Sequence, residues 1–575
     1  MKKCFALAAL ALLSGCRQDA EKIWDVVVYG STPAAFTAAI EAKDLGKSAV
    51  IVSPDTRMGG LTTGGLGQTD IGNKAAFGAL ALQFYRDVAV YYKNPASWKW
   101  QKRESYIPDG QCTGTKGDDS MWTFEPSAAL KILADWEKRY GLDIRRGEKL
   151  DRSPGGVVKS GAKIVAFKTL SGKVFKGRMF VDATYEGDLM AAAGVEYHVG
   201  REANSLYNET VNGFAPSAHG FNHHNFEIGV DPYVVRGDPK SGLLPNVEPY
   251  NAAEKPGDGD RRVQAYCFRM CLTDVPENRI AFTKPANYRE LDYELLFRNY
   301  ELQMKNHPEW FAKGVKSYWG SGFPWINSFM PNRKTDTNNS LAFSSDFIGR
   351  NWAWPEASYE EREKILKEHL DYQRGLMWTL ANHPRVPEAV RAEYSRWGMC
   401  KDEFLDGAGD GWQRQLYVRE ARRLVGEYVM TEHNCRGKVV APRPIAMGAY
   451  GMDSHHVRRR VTKEGYVYNE GNVEDYFALD GKTRFPPYPI DFGAILPKKA
   501  QCENLLVSVA VSASHIAFGS IRMEPVFFAL GQVAGAAASL AIDAGTAVQD
   551  VDYALLRKRL LERGQVLEMP AKKTK

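Results

Sequence analysis

Cysteine is scarce in this chain: eight residues in 575, with no pair in Cys-x-x-Cys spacing. A four-cysteine iron–sulfur or zinc site normally needs closely spaced ligand pairs, so no metal centre is expected. Cys267 and Cys271 lie four apart in a strand-like YCFRMCLT segment, too far apart along a strand for a disulfide, and read as buried thiols. Excess charge of one sign is also missing. The chain carries 75 Lys+Arg against 69 Asp+Glu, which gives no reason to expect a nucleic-acid partner. Long hydrophobic runs are few. The most apolar one, residues 526–542, contains Gln532 and is short for a membrane span, so a buried core helix is expected. What remains is ordinary for a soluble enzyme, 44% hydrophobic and 25% charged, at a length that calls for two intertwined domains.

The N-terminus departs from that picture. Lys2 and Lys3 precede an apolar run over residues 5–13, and Ser14, Gly15 and Cys16 follow. This pattern reads as a signal peptide. Residues 13–16 further resemble the bacterial lipobox, which implies that Cys16 becomes a diacylated N-terminus. The expectation is an exported lipoprotein, periplasmic or on the cell surface, that meets the membrane only through its lipid anchor. An ordinary secretory signal is the alternative.

Residues 23–29 (IWDVVVY) form an apolar run ending at Gly30, and a helical stretch and a second apolar run, SAVIV, follow. The order is strand, helix, parallel strand. Pro33 suits the first helical turn, Thr32 the N-cap and Gly46 the C-terminal stop. Such a helix start offers free N–H groups to a pyrophosphate. Against G-x-G-x-x-G, Gly30 holds the first position, while Thr32 and Ala35 replace the other glycines. The ribose-binding acid expected at the end of the second strand is missing: Ser53 and Pro54 stand there, and Asp55 comes two residues late. Five glycines in residues 59–67, preceded by Arg57, allow a flat ligand to lie against the backbone.

Near the other end, residues 504–515 read as a buried strand running up to His515. Pro525 marks a helix start, and Gly531 and Gly535, with Ala534 and Ala538, leave one helical face nearly bare for close packing.

Four ordered segments now stand together: YGSTPAA at 29–35, FVDATYEGDLMAAAG at 180–194, MDSHH at 452–456, and residues 512–525. With them the chain resembles a bacterial FAD-dependent oxidoreductase family, and through it the fumarate-reductase branch of the glutathione-reductase-like flavoproteins. The resemblance implies an α/β fold: a Rossmann-like FAD-binding domain, a parallel sheet with a β-meander, plus an inserted α+β substrate domain with a helical insertion. The boundaries expected are a signal peptide at 1–15, a linker at 16–23, FAD-binding parts at 24–184 and 487–546, the substrate domain at 185–486, and a C-terminal helix and basic tail at 547–575. FAD is the cofactor implied. Gly30, Ser31, Thr32, Pro33, Ala34 and Ala35 would hold the pyrophosphate, with Ser53 at the end of the second strand. Arg57, Gly59, Gly60, Leu61 and Thr62 would lie along the flavin, and Asp182, Ala183 and Thr184 near the ribose. Ser514, Met523, Glu524, Pro525 and Gly531 belong to the segment whose helix dipole would face the flavin pyrimidine edge.

A flavin still needs a proton donor or acceptor and a charge beside it. His455, His456 and His515 are the candidates, since imidazole titrates near neutrality. Arg522 suits the flavin carbonyl or a substrate anion, and Arg201 a substrate. Tryptophans 310, 319, 325, 352, 354 and 378 read first as core, though they suit sugar rings too. The expected activity is oxidation or reduction of a small molecule, a carbohydrate or an acid, with an electron acceptor that the sequence does not name. A polysaccharide lyase and a non-catalytic glycan-binding surface lipoprotein are the alternatives.

Overall fold

The computed structural model describes residues 22–107, 119–217, 224–312, 325–477, 484 and 486–569. Cys16 and the signal segment, Cys112 and Trp319 lie outside the described residues.

β1 (Ile23–Tyr29) is β-branched and buried along most of its length, as a central parallel strand requires. It pairs in parallel with β2 (Ala49–Val52) on one side and with β6 (Val174–Asp182) on the other. The sheet runs β3-β2-β1-β6-β5-β4, where β3 is Asp143–Arg145, β4 Val157–Ser160 and β5 Lys163–Lys168. β4, β5 and β6 form the antiparallel meander. The far end of the chain returns as β7 (Leu505–Val507), parallel to the last residues of β6. Two distant segments therefore complete one sheet.

Between β1 and β2 lies α1 (Pro33–Asp44), with Pro33 in its first turn and Gly46 left-handed just past its end, as expected. α2 (Glu524–Ala544) packs against it. A Cβ on Gly531 would stand 2.3 Å from the Ala34 carbonyl oxygen, and one on Gly535 2.3 Å from that of Ala38, so the bare face allows the two helices to touch through backbone. α2 is long and apolar enough to cross a membrane, but 94% of its most apolar window is buried within the protein, and Gln532 donates to Glu41 inside that contact. It is the core helix the sequence suggested.

The inserted region carries a second, antiparallel sheet in the order Trp325–Met330, Lys334–Asn339, Leu272–Thr273, Gly398–Cys400, Arg279–Ile280. The same region holds the helices Glu294–Asn306 and Tyr359–Asn382, the second opened by a capping box of Ser358 and Glu361. Cys267 lies outside the strands and is buried as a free thiol, as is Cys271, whose sulfur sits 3.8 Å from that of Cys400. One expectation needs correcting: the final strand stops at Val507, and His515 instead opens a helix, His515–Ile521. After a last bond from Ser508 N–H to the Asp182 carbonyl, the chain leaves the sheet and its backbone bonds elsewhere, Ser512 N–H to Ala494 and Ser514 N–H to Met430.

Candidate active site

The turn between β1 and α1 is closed by Gly30, whose φ of +143° and 2.3 Å approach of a would-be Cβ to the Ala183 carbonyl exclude any side chain. Thr32, in the place of the second glycine, turns its hydroxyl away and donates to the same carbonyl at 2.8 Å. No side chain caps α1. Pro33 has no N–H and the Ala35 N–H turns back to the Thr32 carbonyl, so the Ala34 N–H is left to an acceptor from outside the helix, the arrangement that suits a pyrophosphate.

Ser53 corrects the reading of the second strand. Its hydroxyl donates to the Asp55 carbonyl and accepts the Asp55 N–H, folding the chain back so that the Asp55 carboxylate accepts from Ser31 at 2.6 Å. The acid that arrives two residues late in sequence therefore stands at the first turn of α1, where it would serve a ribose hydroxyl. Asp182, expected there, uses both carboxylate oxygens internally: it accepts from Thr184 N–H and hydroxyl and from Met190 N–H. Burial pushes Asp182 up to about 6 against those bonds. Residues 182–184 thus position the Gly30 turn and offer the cofactor no free side chain.

The glycine loop joins this turn directly, Gly59 N–H donating to the Ser31 carbonyl. Gly59 and Gly60 are both left-handed, and a Cβ on Gly60 would meet the Tyr185 hydroxyl at 2.5 Å. Arg57 fastens the loop, donating twice to the Thr63 carbonyl and pairing with Asp406. Across the loop stands Glu524, the first residue of α2. Its buried carboxylate accepts from the Thr62 hydroxyl at 2.6 Å and the Tyr185 hydroxyl at 2.7 Å, while Tyr185 accepts from Leu61 N–H. Burial pushes Glu524 up to about 7 despite both donors. Met523 is an N-cap without a side-chain bond, and Pro525 lies in the first turn. An uncapped helix start, a tightly bent glycine loop and a second helix start beside it fit FAD; Ser31, Thr32 and Ala34 N–H would hold the phosphates, and Gly59 to Thr62 and Glu524 would lie beside the ring.

On its other side the loop meets the insertion. A Cβ on Gly65 would stand 2.4 Å from the Arg269 carbonyl, and Gln413 bridges the Gly64 and Arg269 carbonyls. The guanidinium groups of Arg269, Arg419 and Arg522 surround the ring of Tyr417 at 5.6, 4.4 and 5.8 Å, and the Tyr417 hydroxyl accepts from Arg522 at 2.9 Å. Arg522 also pairs with Asp453 at 2.7 Å, and His455 Nε2 lies 3.8 Å from that carboxylate. Burial pushes Asp453 up to about 7, with Asp70 and Glu474 adding to it and Arg522 opposing. His455 donates from Nδ1 to Asp346 at 2.8 Å, and burial, aided by Arg419, brings it down to about 3, so its ring is neutral. Asp346 is buried, yet Arg419 and His455 hold it well below the usual carboxylate range. Asp453 and His455, one residue apart along the chain, are the partly exposed members of this cluster.

The structure brings His455, Arg522, Glu524, Thr62 and the Gly30 turn into one region and sets other candidates aside. Every N–H group of Arg201 is engaged by Asp260, Glu470 and the Gly213 carbonyl, which leaves no donor for a substrate. Ser514 donates to Glu209 at 2.6 Å and caps the helix that follows. Gly531 touches Ala34 and makes a helix contact. His515 is buried between Glu420, 2.6 Å from Nδ1, and Ser454, 3.0 Å from Nε2, and acts within the packing of that helix. His456 is almost fully buried, its ring edge to face with that of His224. Trp352 and Trp354 donate to the Val457 carbonyl and to Glu186, in keeping with core positions. Tyr185, Tyr417, Arg419 and Asp453 escaped the sequence reading, and Asp55 was seen there only as an acid out of register. Tyr185 and Asp453 lie inside quoted motifs, but only their neighbours were singled out.

Residues 25–560 match the family described as FAD dependent oxidoreductase, and the chain belongs to that family, with FAD as its cofactor. Among curated proteins none matches the chain. Solved structures similar to it include L-amino acid deaminase from Proteus vulgaris (18% identity, 31% of this chain and 52% of that chain, TM-score 0.23). L-proline dehydrogenase from P. horikoshii aligns at 16% identity over 32% of this chain and 59% of that one (TM-score 0.21). A flavin-containing monooxygenase from Stenotrophomonas maltophilia aligns at 17% over 34% and 45% (TM-score 0.18). The matched part spans no more than about six-tenths of any of these three chains.

Proposed function

We propose that the protein oxidises or reduces a small organic molecule where the glycine loop meets the insertion, with Asp453 as the proton-handling group. The bound FAD would supply the two-electron chemistry. Asp453 carries this reading: a partly exposed carboxylate near pKa 7 is matched to proton transfer at neutral pH, and Arg522 and neutral His455 orient it. Tyr417, ringed by three guanidinium groups, would form the polar wall opposite. A carbohydrate or an organic acid suits such a wall, and the electron acceptor is a separate partner. Anaerobic screening of sugars and acids for bleaching of the flavin band tests the proposal. Bleaching by one of them, lost in Asp453→Asn with flavin retained, supports it, whereas unsaturated sugar products formed without any electron acceptor would replace it with a lyase.

We also infer export and anchoring through a lipidated Cys16, based on the sequence around it. Metabolic lipid labelling that vanishes in Cys16→Ser supports this; labelling that persists refutes it.

A further inference from the structure

Next to His455 lies a second cluster of buried polar groups that the proton chemistry does not use. Its centre is Arg459, 4% exposed, on the strand Arg458–Val461. The buried arginines Arg201, Arg419, Arg423, Arg458 and Arg522 each carry a carboxylate, while Arg460, on the same strand, lies over the ring of Phe214. Arg459 has none among the described residues: its guanidinium donates to the Asn469 side-chain oxygen at 3.0 Å and, at 3.4 Å, to the Ala342 carbonyl. The rings of Phe226 and Phe343 stand 5.2 and 5.0 Å from it. Burial without an opposing charge lowers Arg459 to about 10.

The second member is His456, 3% exposed, whose Nε2 has no hydrogen-bond partner among the described residues. Its ring lies 6.2 Å from that of His224, edge to face, and the backbone carbonyl of His224 accepts from the same Asn469 that holds Arg459. A buried guanidinium without a counter-ion and a buried imidazole nitrogen without a partner are costly on their own, and one anion would satisfy both. The Phe walls favour a group that is flat and carbon-borne over a fully hydrated ion, which points to a carboxylate received by the planar fork of Arg459.

We infer that Arg459 and His456 form the carboxylate anchor of the substrate, making the substrate a small organic acid or sugar acid whose reacting carbon lies toward Asp453. This rests on the proposed function and narrows its substrate class.

The test uses flavin-loaded protein and three carboxylates, acetate, succinate and glucuronate, with succinamide and glucose as neutral controls. Binding is read by calorimetry and by perturbation of the flavin spectrum. At least one carboxylate is expected to bind where its neutral counterpart does not, and Arg459→Gln should weaken it on the order of tenfold to a hundredfold with flavin content unchanged. If Arg459→Gln does not fold, Arg459→Lys decides the matter: it keeps the charge but loses the fork, so binding must be weaker than in the parent protein. The inference is overturned if no carboxylate binds, if either variant that folds binds as tightly as the parent, or if only neutral compounds bind. A preparation that takes up no flavin would instead undo the reading beneath it.

Discussion

Glu524→Gln is the substitution whose consequence can be worked furthest. The Glu524 carboxyl is buried under α2 and takes up its proton near pH 7, where an ordinary glutamate does so at 4.5. Its folded-state value is raised, so the folded protein binds the proton more tightly than the unfolded chain. Stability is then highest below about pH 4.5 and falls as pH rises toward 7, where folding must carry a buried negative charge. At about 1.4 kcal/mol per pH unit, the gap costs about 3 kcal/mol above pH 7. Gln keeps the acceptor for Thr62 or Tyr185 and never ionises. For a chain this long, at about 2.1 cal/mol/K per residue, 3 kcal/mol corresponds to a melting shift of about 3 °C if the protein unfolds as one unit. The assay is thermal unfolding of flavin-free parent and variant side by side at pH 5 and pH 8. The variant should match the parent or fall slightly below it at pH 5 and exceed it by about 3 °C at pH 8. A difference that stays flat across that range would refute the proton assignment, since a mere packing change does not follow pH.

Other expectations follow from the same geometry. Asp453→Asn should lower the turnover of any substrate that reduces the flavin by roughly a hundredfold or more and remove a pH dependence centred near 7, with flavin content unchanged; stopped-flow flavin reduction from pH 5 to 9 checks this. Asp188, held well below the usual carboxylate range because Arg362, Arg152 and Arg422 outweigh the cost of its burial, is a structural acid. Asp188→Asn should destabilise by about 3–5 kcal/mol, read as a lower melting temperature, because it strands buried guanidinium groups. Gly531→Leu would press its side chain into the Ala34 carbonyl and force α2 from α1, so soluble yield and bound flavin should fall together, whereas Gly545→Leu, with open space around it, should cost only the roughly 1–2 kcal/mol of its left-handed backbone and keep its flavin.

The local frame of the site was legible because it is written in short-range patterns. β1, α1 and β2 follow from a β-branched run, a proline at the helix start and a glycine at its end, and α2 follows from Pro525 and the paired small residues. The acids and arginines were not legible, because their roles come from partners far away in sequence. Thr62 and Glu524 are 462 positions apart, and Arg269 and Asp336 are 67 apart. Arg201 looked like a substrate contact because nothing near it in sequence announces Asp260 and Glu470. His456 and Asp453 show the same limit within one motif. Imidazole was favoured for its ordinary titration range, but burial leaves the histidines neutral and moves the carboxylate to neutral pH instead. The missing ribose acid was a matter of backbone path: only the turn built by Ser53 returns Asp55 to Ser31.

The central claim is that the Gly30 turn, the glycine loop and the start of α2 hold FAD. Flavin occupancy of purified protein, set beside that of Thr32→Glu, tests it most directly. The parent should show a flavin spectrum and release about one FAD per chain on denaturation, and Thr32→Glu, with a carboxylate at the uncapped start of α1, should hold it at least about tenfold more weakly. Parent protein without a flavin spectrum, even after incubation with FAD, or a Thr32→Glu variant that holds FAD as tightly as the parent, would contradict the account.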